Sequence, residues 1–296
     1  MVFTLPSFAK LNLDLRVIGK RDDGYHELFT VFQTVSLCDE ISFAEGEDVE
    51  LTSRHRGLPI DGRNLIVKAA NILRERYGVA VGAKMHLRKR IPAPGGLGGG
   101  SSNAAVALIG LKRLWRLDIS FDEMVEIAAT LGSDVPFFLY GGTAMGFGRG
   151  TEIEPIADIR EEWLLIVTPD VHVSTAKAFK ELNAPSLTTE ASERILLNCR
   201  FNAESLDLRH AVLKNDFEPT VFGSHSQVVL VKQTLLDLGA VNALMSGSGA
   251  SVFAIFDKEE TRQAAMKALD IQVNWRKFAA ATISRDKYRE ALELVY

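Results

Sequence analysis

The sequence predicts an α+β fold built from two domains that meet at a cleft. Residues 11, 13, 15 and 17 are apolar and the residues between them are polar, a period of two that is typical of a strand. Elsewhere apolar residues recur at helical spacing, and strand-like and helical stretches alternate through the second half of the chain. With 296 residues, the chain can form two domains. We predict that these comprise residues 1–155 and 156–296.

The N-terminal strand is expected to be half-buried, with Lys10 and Asn12 on the same face. The stretch from Gly19 to Gly24 is typical of a turn, and residues 28–37 are typical of a second strand. The chain should therefore open with a β-hairpin.

The first helix is predicted to begin after Asn64, a good capping residue, and to end at Gly78. A basic strand follows, and it is either a solvated edge strand or a source of positive charge beside a bound polyanion; its basic residues are Lys84, His86, Arg88, Lys89 and Arg90.

Two further helices are predicted between residues 104 and 132. The first is the apolar run from Ala104 to Trp115, and the second begins at the capping-box sequence of Ser120 and ends near Gly132. The glycines between residues 141 and 150 predict irregular structure.

In the second half, three strands and three helices are predicted. The strands cover residues 163–168, 250–256 and 275–283, and the helices cover residues 175–182, 227–238 and 259–269.

The glycine-rich loop between the basic strand and the apolar helix predicts a phosphate site. Six of the seven residues from Gly95 to Ser101 are Gly or Ser, so that backbone amides can approach an anion closely. The N-terminus of the following helix would attract the same phosphates. The residues assigned to this site are Pro92, Ala93, Pro94, Gly95, Gly96, Leu97, Gly98, Gly99, Gly100, Ser101 and Ser102.

Two familiar phosphate motifs do not match this loop. The Walker pattern needs a lysine that the loop lacks, and the dinucleotide fingerprint needs glycine where Ser101 stands. A flexible linker is the remaining alternative. The hydroxyls of Ser101 and Ser102 could bind the phosphates or Mg²⁺, and the sequence leaves both open.

Asp134 and Lys10 are the candidate catalytic residues. Phosphoryl transfer needs a group that deprotonates the attacking hydroxyl and a positive charge near the transferred phosphate. Asp134 precedes an apolar run that would strengthen its interaction with an ammonium group. The alternatives are a helix N-cap for Asp134 and a solvent-exposed side chain for Lys10.

Charge and cysteine content exclude several classes of protein. The formal net charge of −4 argues against a nucleic-acid partner. Cys38 and Cys199 are the only cysteines, and there is no zinc motif, so a disulfide scaffold or common zinc site lacks support.

No apolar run approaches the ~18 residues of a membrane span, and no signal-like N-terminus is present. We expect a cytoplasmic protein with a small-molecule substrate, either a monomer or a homodimer.

Three separated segments resemble the GHMP kinase superfamily, named for galactokinase, homoserine kinase, mevalonate kinase and phosphomevalonate kinase. They are residues 8–13, 92–105 and 246–251. Within that superfamily, residues 10–13, 23–28 and 132–138 are similar to the kinases that act on 4-diphosphocytidyl-2-C-methyl-D-erythritol in the non-mevalonate isoprenoid pathway. The resemblance covers nearly the whole chain, and Ser133 departs from it where alanine is common.

This resemblance implies a ribosomal-S5-like N-terminal domain, a ferredoxin-like C-terminal domain, and ATP and substrate sites in the cleft between them. It implies transfer of phosphate from ATP to the 2-hydroxyl of the substrate, with Mg²⁺ as cofactor and no assigned protein ligand for the metal. Asp134 would accept the hydroxyl proton, and Lys10 would keep Asp134 ionised and stabilise the γ-phosphate.

The resemblance also implies binding roles for further residues. Asn12 would lie near the reacting groups, Tyr25 and His26 would contact the cytosine, and Asn64 and Lys68 would lie by the adenine or its ribose. The segment of residues 246–251 would close around the substrate with backbone amides, or form a plain β-turn. A sister kinase for another small alcohol and a non-catalytic nucleotide or RNA-binding module are the competing functions.

Overall fold

A computed structural model describes residues 2–182, 189–204 and 206–294, with side chains of the helix at 189–204 described from Ile195 onward. The strands are β1 (Val2–Lys20), β2 (His26–Gly46), β3 (Val49–Ser53), β4 (Gly82–Arg88), β5 (Thr143–Gly148), β6 (Glu152–Pro155), β7 (Trp163–Pro169), β8 (Asn242–Met245), β9 (Val252–Phe256) and β10 (Trp275–Ala281). The helices are α1 (Leu65–Tyr77), α2 (Gly99–Trp115), α3 (Phe121–Leu131), α4 (Phe137–Tyr140), α5 (Thr175–Glu181), α6 (Thr189–Glu204), α7 (Glu218–Ser224), α8 (Ser226–Asp237), α9 (Glu259–Ala268) and α10 (Arg285–Ala291).

Two sheets lie face to face at the centre of the molecule. The first has the strand order β3-β4-β2-β5-β6, with β1 paired along β2, and the second has the order β10-β7-β9-β8. One face of the first sheet packs on α1 to α4. Its other face packs on the second sheet, whose outer face is covered by helices that include α7, α8 and α9. The predicted α+β class is confirmed.

The opening hairpin is confirmed, but the expectation of a half-buried first strand is wrong. β1 and β2 pair antiparallel along almost their whole length. Leu11 and Leu13 face the second sheet, while Lys10 and Asn12 on the other face are each only 3% exposed. Both faces of β1 are therefore buried, and the polar residues on one of them belong to a buried polar network described below.

Helix ends follow the predicted caps closely. The Asn64 side chain accepts a hydrogen bond from the backbone of Ile66, and Gly78 ends α1 in the left-handed conformation. Ser120 and Glu123 form the capping box of α3, which ends at Gly132. The predicted strands and helices of the second half are also present, with small shifts at their ends.

Two predictions in the middle of the chain are corrected. Helix α2 begins at Gly99 rather than Ala104, so its first turn is built from the last residues of the glycine-rich loop. The glycines after residue 140 do not all break regular structure, because β5 includes Gly146 and pairs with β2. A Cβ atom on Gly146 would lie 2.6 Å from the ring of Phe32, which explains glycine within this strand.

The basic segment at residues 84–90 is not an edge strand, since β4 lies between β2 and β3. Lys84, His86 and Arg88 alternate outward and are exposed. Lys89 differs, because its side chain is 2% exposed and its ammonium lies 2.5 Å from a carboxylate oxygen of Asp39.

The division after residue 155 stays a prediction. The strands of the first sheet end at Pro155 and those of the second begin at Trp163. The last helix, α10, nevertheless packs into the first core, where the buried Tyr288 donates a hydrogen bond to the Phe138 carbonyl at 2.5 Å. No helix within the described residues is long and apolar enough to cross a membrane.

Candidate active site

Lys10 and Asp134 form an ion pair at the edge of a small cavity. The ammonium of Lys10 lies 3.3 Å from Oδ2 of Asp134, and the Lys10 side chain is 4% exposed whereas that of Asp134 is 34% exposed. Asp134 does not cap a helix, since the N-cap position of α4 is occupied by Pro136. The alternatives of an exposed Lys10 and a capping Asp134 are therefore wrong.

A buried polar network holds Lys10 in place. Its ammonium donates to Oδ1 of Asn12 at 2.5 Å, and Nδ2 of Asn12 donates to the Thr30 hydroxyl at 2.8 Å. The hydroxyl of Thr30 in turn donates to the Asp14 carbonyl at 2.7 Å. Because each member has a partner, the network fixes the direction of the lysine side chain rather than leaving it to solvent. The Lys10 ammonium also lies 5.4 Å from the centre of the Phe32 ring.

The glycine-rich loop is packed against the turn at residues 246–251. The Ser246 hydroxyl donates to the Gly96 carbonyl at 3.0 Å, and the Ser251 backbone amide donates to the Gly95 carbonyl at 3.2 Å. A Cβ atom on Gly96, whose φ is +74°, would lie 2.1 Å from the Ser246 carbonyl oxygen. Only glycine fits there, so the loop is a built part of the fold rather than a flexible linker.

The turn itself is formed by a hydrogen bond from Gly249 to the Ser246 carbonyl. It therefore has the β-turn geometry named as one alternative. It also lines the small cavity through Gly247, Ser248 and Gly249.

The end of the loop opens helix α2. The amide of Ser102 bonds back to the Gly98 carbonyl, whereas the amides of Gly99, Gly100 and Ser101 belong to the first turn, which has no intrahelical acceptor. The Ser102 side chain is fully buried, with the hydroxyl of Ser7 2.8 Å away. Of the two serines, Ser101 alone has a partly exposed side chain, so the structure does not bring the Ser102 hydroxyl to the cavity.

The start of the loop is anchored by Asp39, a residue that the sequence did not single out. Its carboxylate accepts from the backbone amides of Arg90 and Ile91 at 2.7 and 2.8 Å, in addition to the Lys89 ammonium. Burial lowers the pKa of Lys89, and the charge and hydrogen bond of Asp39 act in the opposite direction. Pro92, Ala93 and Pro94 follow, and Pro94 reaches the small cavity.

The small cavity has a volume of about 200 Å³ and collects residues from both halves of the chain. Lys10, Asn12 and Asp134 line it together with Gly96 and Gly98 of the loop. The structure thus brings together both candidate catalytic residues, the glycine-rich loop and the turn at residues 246–251.

A larger cavity of about 610 Å³ adjoins the small one and includes Tyr25 and His26. The His26 ring is stacked on Phe179 with 5.2 Å between ring centres, and the Tyr25 ring is 3.6 Å from the guanidinium of Arg149. Burial, and secondarily the charge of Lys20, lowers the pKa of His26. The shift favours the neutral imidazole.

Asn64 and Lys68 do not line either cavity. The Asn64 amide is used twice within the protein, since it caps α1 and also donates to the Pro59 carbonyl at 2.7 Å. Lys68 is exposed on α1. Contact of these two residues with adenine or ribose stays a prediction.

Several residues of the site could not be found from the sequence. Thr30, Phe179 and Arg149 reach the cavities only through strand pairing and the packing of the second half on the first. Among the described residues there is no cluster of three or more His, Cys, Asp or Glu side chains that could hold a metal ion.

Comparison with known proteins defines the class to which this fold and site belong. Residues 64–142 match the GHMP kinases N terminal domain, and residues 200–274 match the GHMP kinases C terminal domain. A crystal structure of homoserine kinase from Cytophaga hutchinsonii has the same fold, with a TM-score of 0.71, 20% identity and 95% of each chain covered. The protein is a GHMP kinase.

Relatives with higher sequence identity to this chain identify its family within the GHMP kinases. The 4-diphosphocytidyl-2-C-methyl-D-erythritol kinase of Solibacter usitatus is 41% identical over 96% of this chain and 90% of the relative, and that of Bacillus pumilus is 37% identical over 86% and 88%. A crystal structure of 4-(cytidine 5'-diphospho)-2C-methyl-D-erythritol kinase superimposes with a TM-score of 0.76 at 31% identity, covering 95% of this chain and 99% of the other. The chain belongs to the 4-diphosphocytidyl-2-C-methyl-D-erythritol kinase family.

Proposed function

We propose that this protein transfers the γ-phosphate of ATP to the 2-hydroxyl of 4-diphosphocytidyl-2-C-methyl-D-erythritol, a step in isoprenoid precursor synthesis in the cytoplasm. The observation that carries the proposal is the 3.3 Å ion pair of Lys10 and Asp134 beside the glycine-rich loop. Family membership supports the choice of substrate, because relatives 37–41% identical over most of the chain bear its name.

In this reaction Asp134 acts as the base. Its carboxylate is the more exposed member of the ion pair, so a substrate hydroxyl in the cavity can approach it. The Lys10 ammonium keeps the carboxylate ionised and lies close enough to stabilise the charge on the transferred phosphate. The proton passes from the 2-hydroxyl to Asp134 as the oxygen attacks the γ-phosphorus and the bond to the β-phosphate oxygen breaks.

The loop and the start of α2 bind the phosphates of ATP. Amides of Gly99, Gly100 and Ser101 point out of the first helical turn, where the helix dipole adds about half a positive charge. The buried ion pair of Lys89 and Asp39 packs against this part of the loop. A Cβ atom on Gly99 would lie 2.8 Å from the Lys89 ammonium.

Mg²⁺ fits this site as an ion carried by the nucleotide. Mg²⁺ in kinases is commonly held by substrate phosphates, waters and one or two protein groups. Ser101, at the start of α2 and with a partly exposed side chain, is the residue that would contact it. The ion would supply neutralisation of phosphate charge.

The larger cavity would hold the cytidine. Tyr25 presents an exposed ring for stacking, and the neutral His26 can both donate and accept hydrogen bonds at the base. An acceptor as simple as homoserine or mevalonate would leave this cavity empty. This favours the cytidyl substrate over that of a sister kinase.

A coupled assay tests the proposal. The purified protein is incubated with ATP, Mg²⁺ and the cytidyl substrate, with homoserine and mevalonate as competing acceptors in parallel reactions. We expect a product phosphorylated at the 2-hydroxyl, identified by ³¹P NMR, from the cytidyl substrate alone. Absence of that product, or faster turnover of another acceptor, would refute the assignment.

A further inference from the structure

Arg149 occupies a distinctive place between the two cavities. It lies in the turn from β5 to β6, between Gly148 and Gly150, and its side chain is exposed. The turn is held in place by a hydrogen bond from the Gly148 amide to Oε1 of Glu27 at 3.1 Å and another from the Gly150 amide to the Phe147 carbonyl. Because these hydrogen bonds fix the backbone of the turn, the Arg149 side chain starts from a fixed position beside the two cavities.

The two cavities share three lining residues, Leu28, Phe179 and Arg149. Of these, Arg149 alone is charged. Two other cations, Lys20 and Lys180, line the larger cavity but not the smaller one. Among the described residues, Arg149 is therefore the one cationic side chain at the junction of the two cavities, where it lies beside the apolar Leu28 and Phe179.

The guanidinium of Arg149 is held by stacking and not by a carboxylate. It lies 3.6 Å from the centre of the Tyr25 ring. No ion pair within 4 Å among the described residues includes it, and the nearby Asp23 is paired with Arg21 at 3.1 Å. The pKa of Asp23 is lowered first by a hydrogen bond from the Tyr25 amide and then by Arg21, and the more distant charge of Arg149 adds to this shift. Stacking orients the plane of the guanidinium and leaves its hydrogen-bond donors open to a ligand.

The geometry points to Arg149 as the residue that binds the diphosphate of the cytidyl substrate, an inference that rests on the proposed function. In that substrate the diphosphate joins the cytidine to the sugar alcohol. With cytidine in the larger cavity and the reacting hydroxyl beside Asp134 in the smaller one, the diphosphate must cross the junction where Arg149 lies. A planar guanidinium matches phosphate oxygens with two parallel hydrogen bonds, and its stack on Tyr25 links recognition of the base to recognition of the phosphates.

Binding of cytidine and of cytidine 5'-diphosphate (CDP) tests this inference on the protein alone, by titration calorimetry. The ratio of the two dissociation constants measures the contribution of the phosphates to binding. Any effect of Arg149 on the Tyr25 ring changes the affinity for both ligands equally and cancels in this ratio. We expect CDP to bind the wild type more tightly than cytidine, and Arg149→Ala to reduce this preference by roughly tenfold or more, the scale of a charged hydrogen bond. Arg149→Lys, which keeps the charge and loses the paired donors, should restore part of it.

Arg200→Ala is a matched control, since Arg200 is also stacked on an aromatic ring, that of Phe147, but lines neither cavity. Its preference for CDP should equal that of the wild type. In turnover, Arg149→Ala should raise KM for the cytidyl substrate and leave KM for ATP and kcat nearly unchanged.

A wild type that binds CDP no more tightly than cytidine, or an Arg149→Ala variant with an unchanged preference, would overturn the inference. If the alanine variant does not fold, as judged by thermal melting, the comparison of wild type with Arg149→Lys decides in its place. Failure of the wild type to phosphorylate the cytidyl substrate would instead refute the proposed function, and the binding ratio would still show whether Arg149 binds a diphosphate.

Discussion

A Cβ atom on Gly98 would lie 2.9 Å from Cγ of Lys10, so the glycine-rich loop and the lysine of the ion pair are packed directly on each other. The ring of Phe138 fills the same space from the other side, also at 2.9 Å. The backbone of Lys10 joins this contact by donating to the Leu97 carbonyl at 3.0 Å. The position of the glycine-rich loop and that of the candidate catalytic lysine are thus set by the same contacts.

Replacement of Gly98 by alanine should therefore displace Lys10. The residue has φ +67°, which costs a non-glycine residue about 1–2 kcal/mol, and the new methyl group must push Lys10 or Phe138 aside. We expect kcat to fall by roughly tenfold to a hundredfold, because small misplacements of reacting groups carry that cost. Steady-state kinetics would check it. Gly223→Ala in α7, where nothing lies within 4 Å of the added methyl, is the control, and equal kcat values for the two variants would show that Lys10 has not moved.

Asp134→Asn should remove the proposed base while preserving the shape of the site. We expect kcat to fall by about 10² or more, the usual scale for loss of general base catalysis, with the dissociation constant of ATP little changed. Single-turnover kinetics and ATP titration would separate these effects. Asp122→Asn, on the exposed first turn of α3, serves as the control. An Asp134→Asn variant as active as that control would mean that the carboxylate takes no part in proton transfer.

Substrate binding should weaken at acidic pH through His26. Its pKa lies below the ordinary value of 6.5 because burial, and then the charge of Lys20, disfavour the imidazolium. A depressed pKa in the folded state means that the contribution of His26 to stability is present above pH 6.5 and is lost as pH falls through the lowered value. We expect KM for the cytidyl substrate to be constant from about pH 8 to 6.5 and to rise below that range.

The same residue can be followed directly by NMR. Titration of the His26 ring protons should give a pKa below 6.5, and Lys20→Met should raise it by removing the second of the two causes. A His26 that titrates above 6.5 in the wild type would contradict this account of the site.

The buried pair of Asp39 and Lys89 should contribute strongly to the stability of the fold. Asp39→Ala leaves the Lys89 ammonium buried without its counter-charge and two loop amides without an acceptor, so we expect a loss of roughly 3–5 kcal/mol in the free energy of unfolding. Urea denaturation measures it. Asp61→Ala removes the partner of Arg63 from an exposed pair and should have a much smaller effect. Similar losses for both variants would mean that burial does not set the strength of the Asp39 pair.

Local signals in the sequence predicted the helices and strands well where caps and periodicity agree. The Asn64 and Gly78 ends of α1 and the Ser120 capping box are examples, because a cap acts through hydrogen bonds to residues two to four positions away. The same local reasoning failed at Gly146, where glycine serves a contact with Phe32 across the sheet rather than a turn. It also failed for β1, because a period of two predicts a half-buried strand and this strand is buried on both faces.

By itself, the sequence determined the composition of the glycine-rich loop, the capped helices beside it and the presence of Lys10 and Asp134, since these depend on neighbouring residues along the chain. Only the tertiary structure decided that Lys10 meets Asp134, that Gly96 lies against Ser246 and that Arg149 stands between two cavities. Such contacts join segments far apart in the chain, and they arise when two sheets and their helices bury apolar surface together. No local pattern encodes that packing, so no local pattern could reveal the site that it creates.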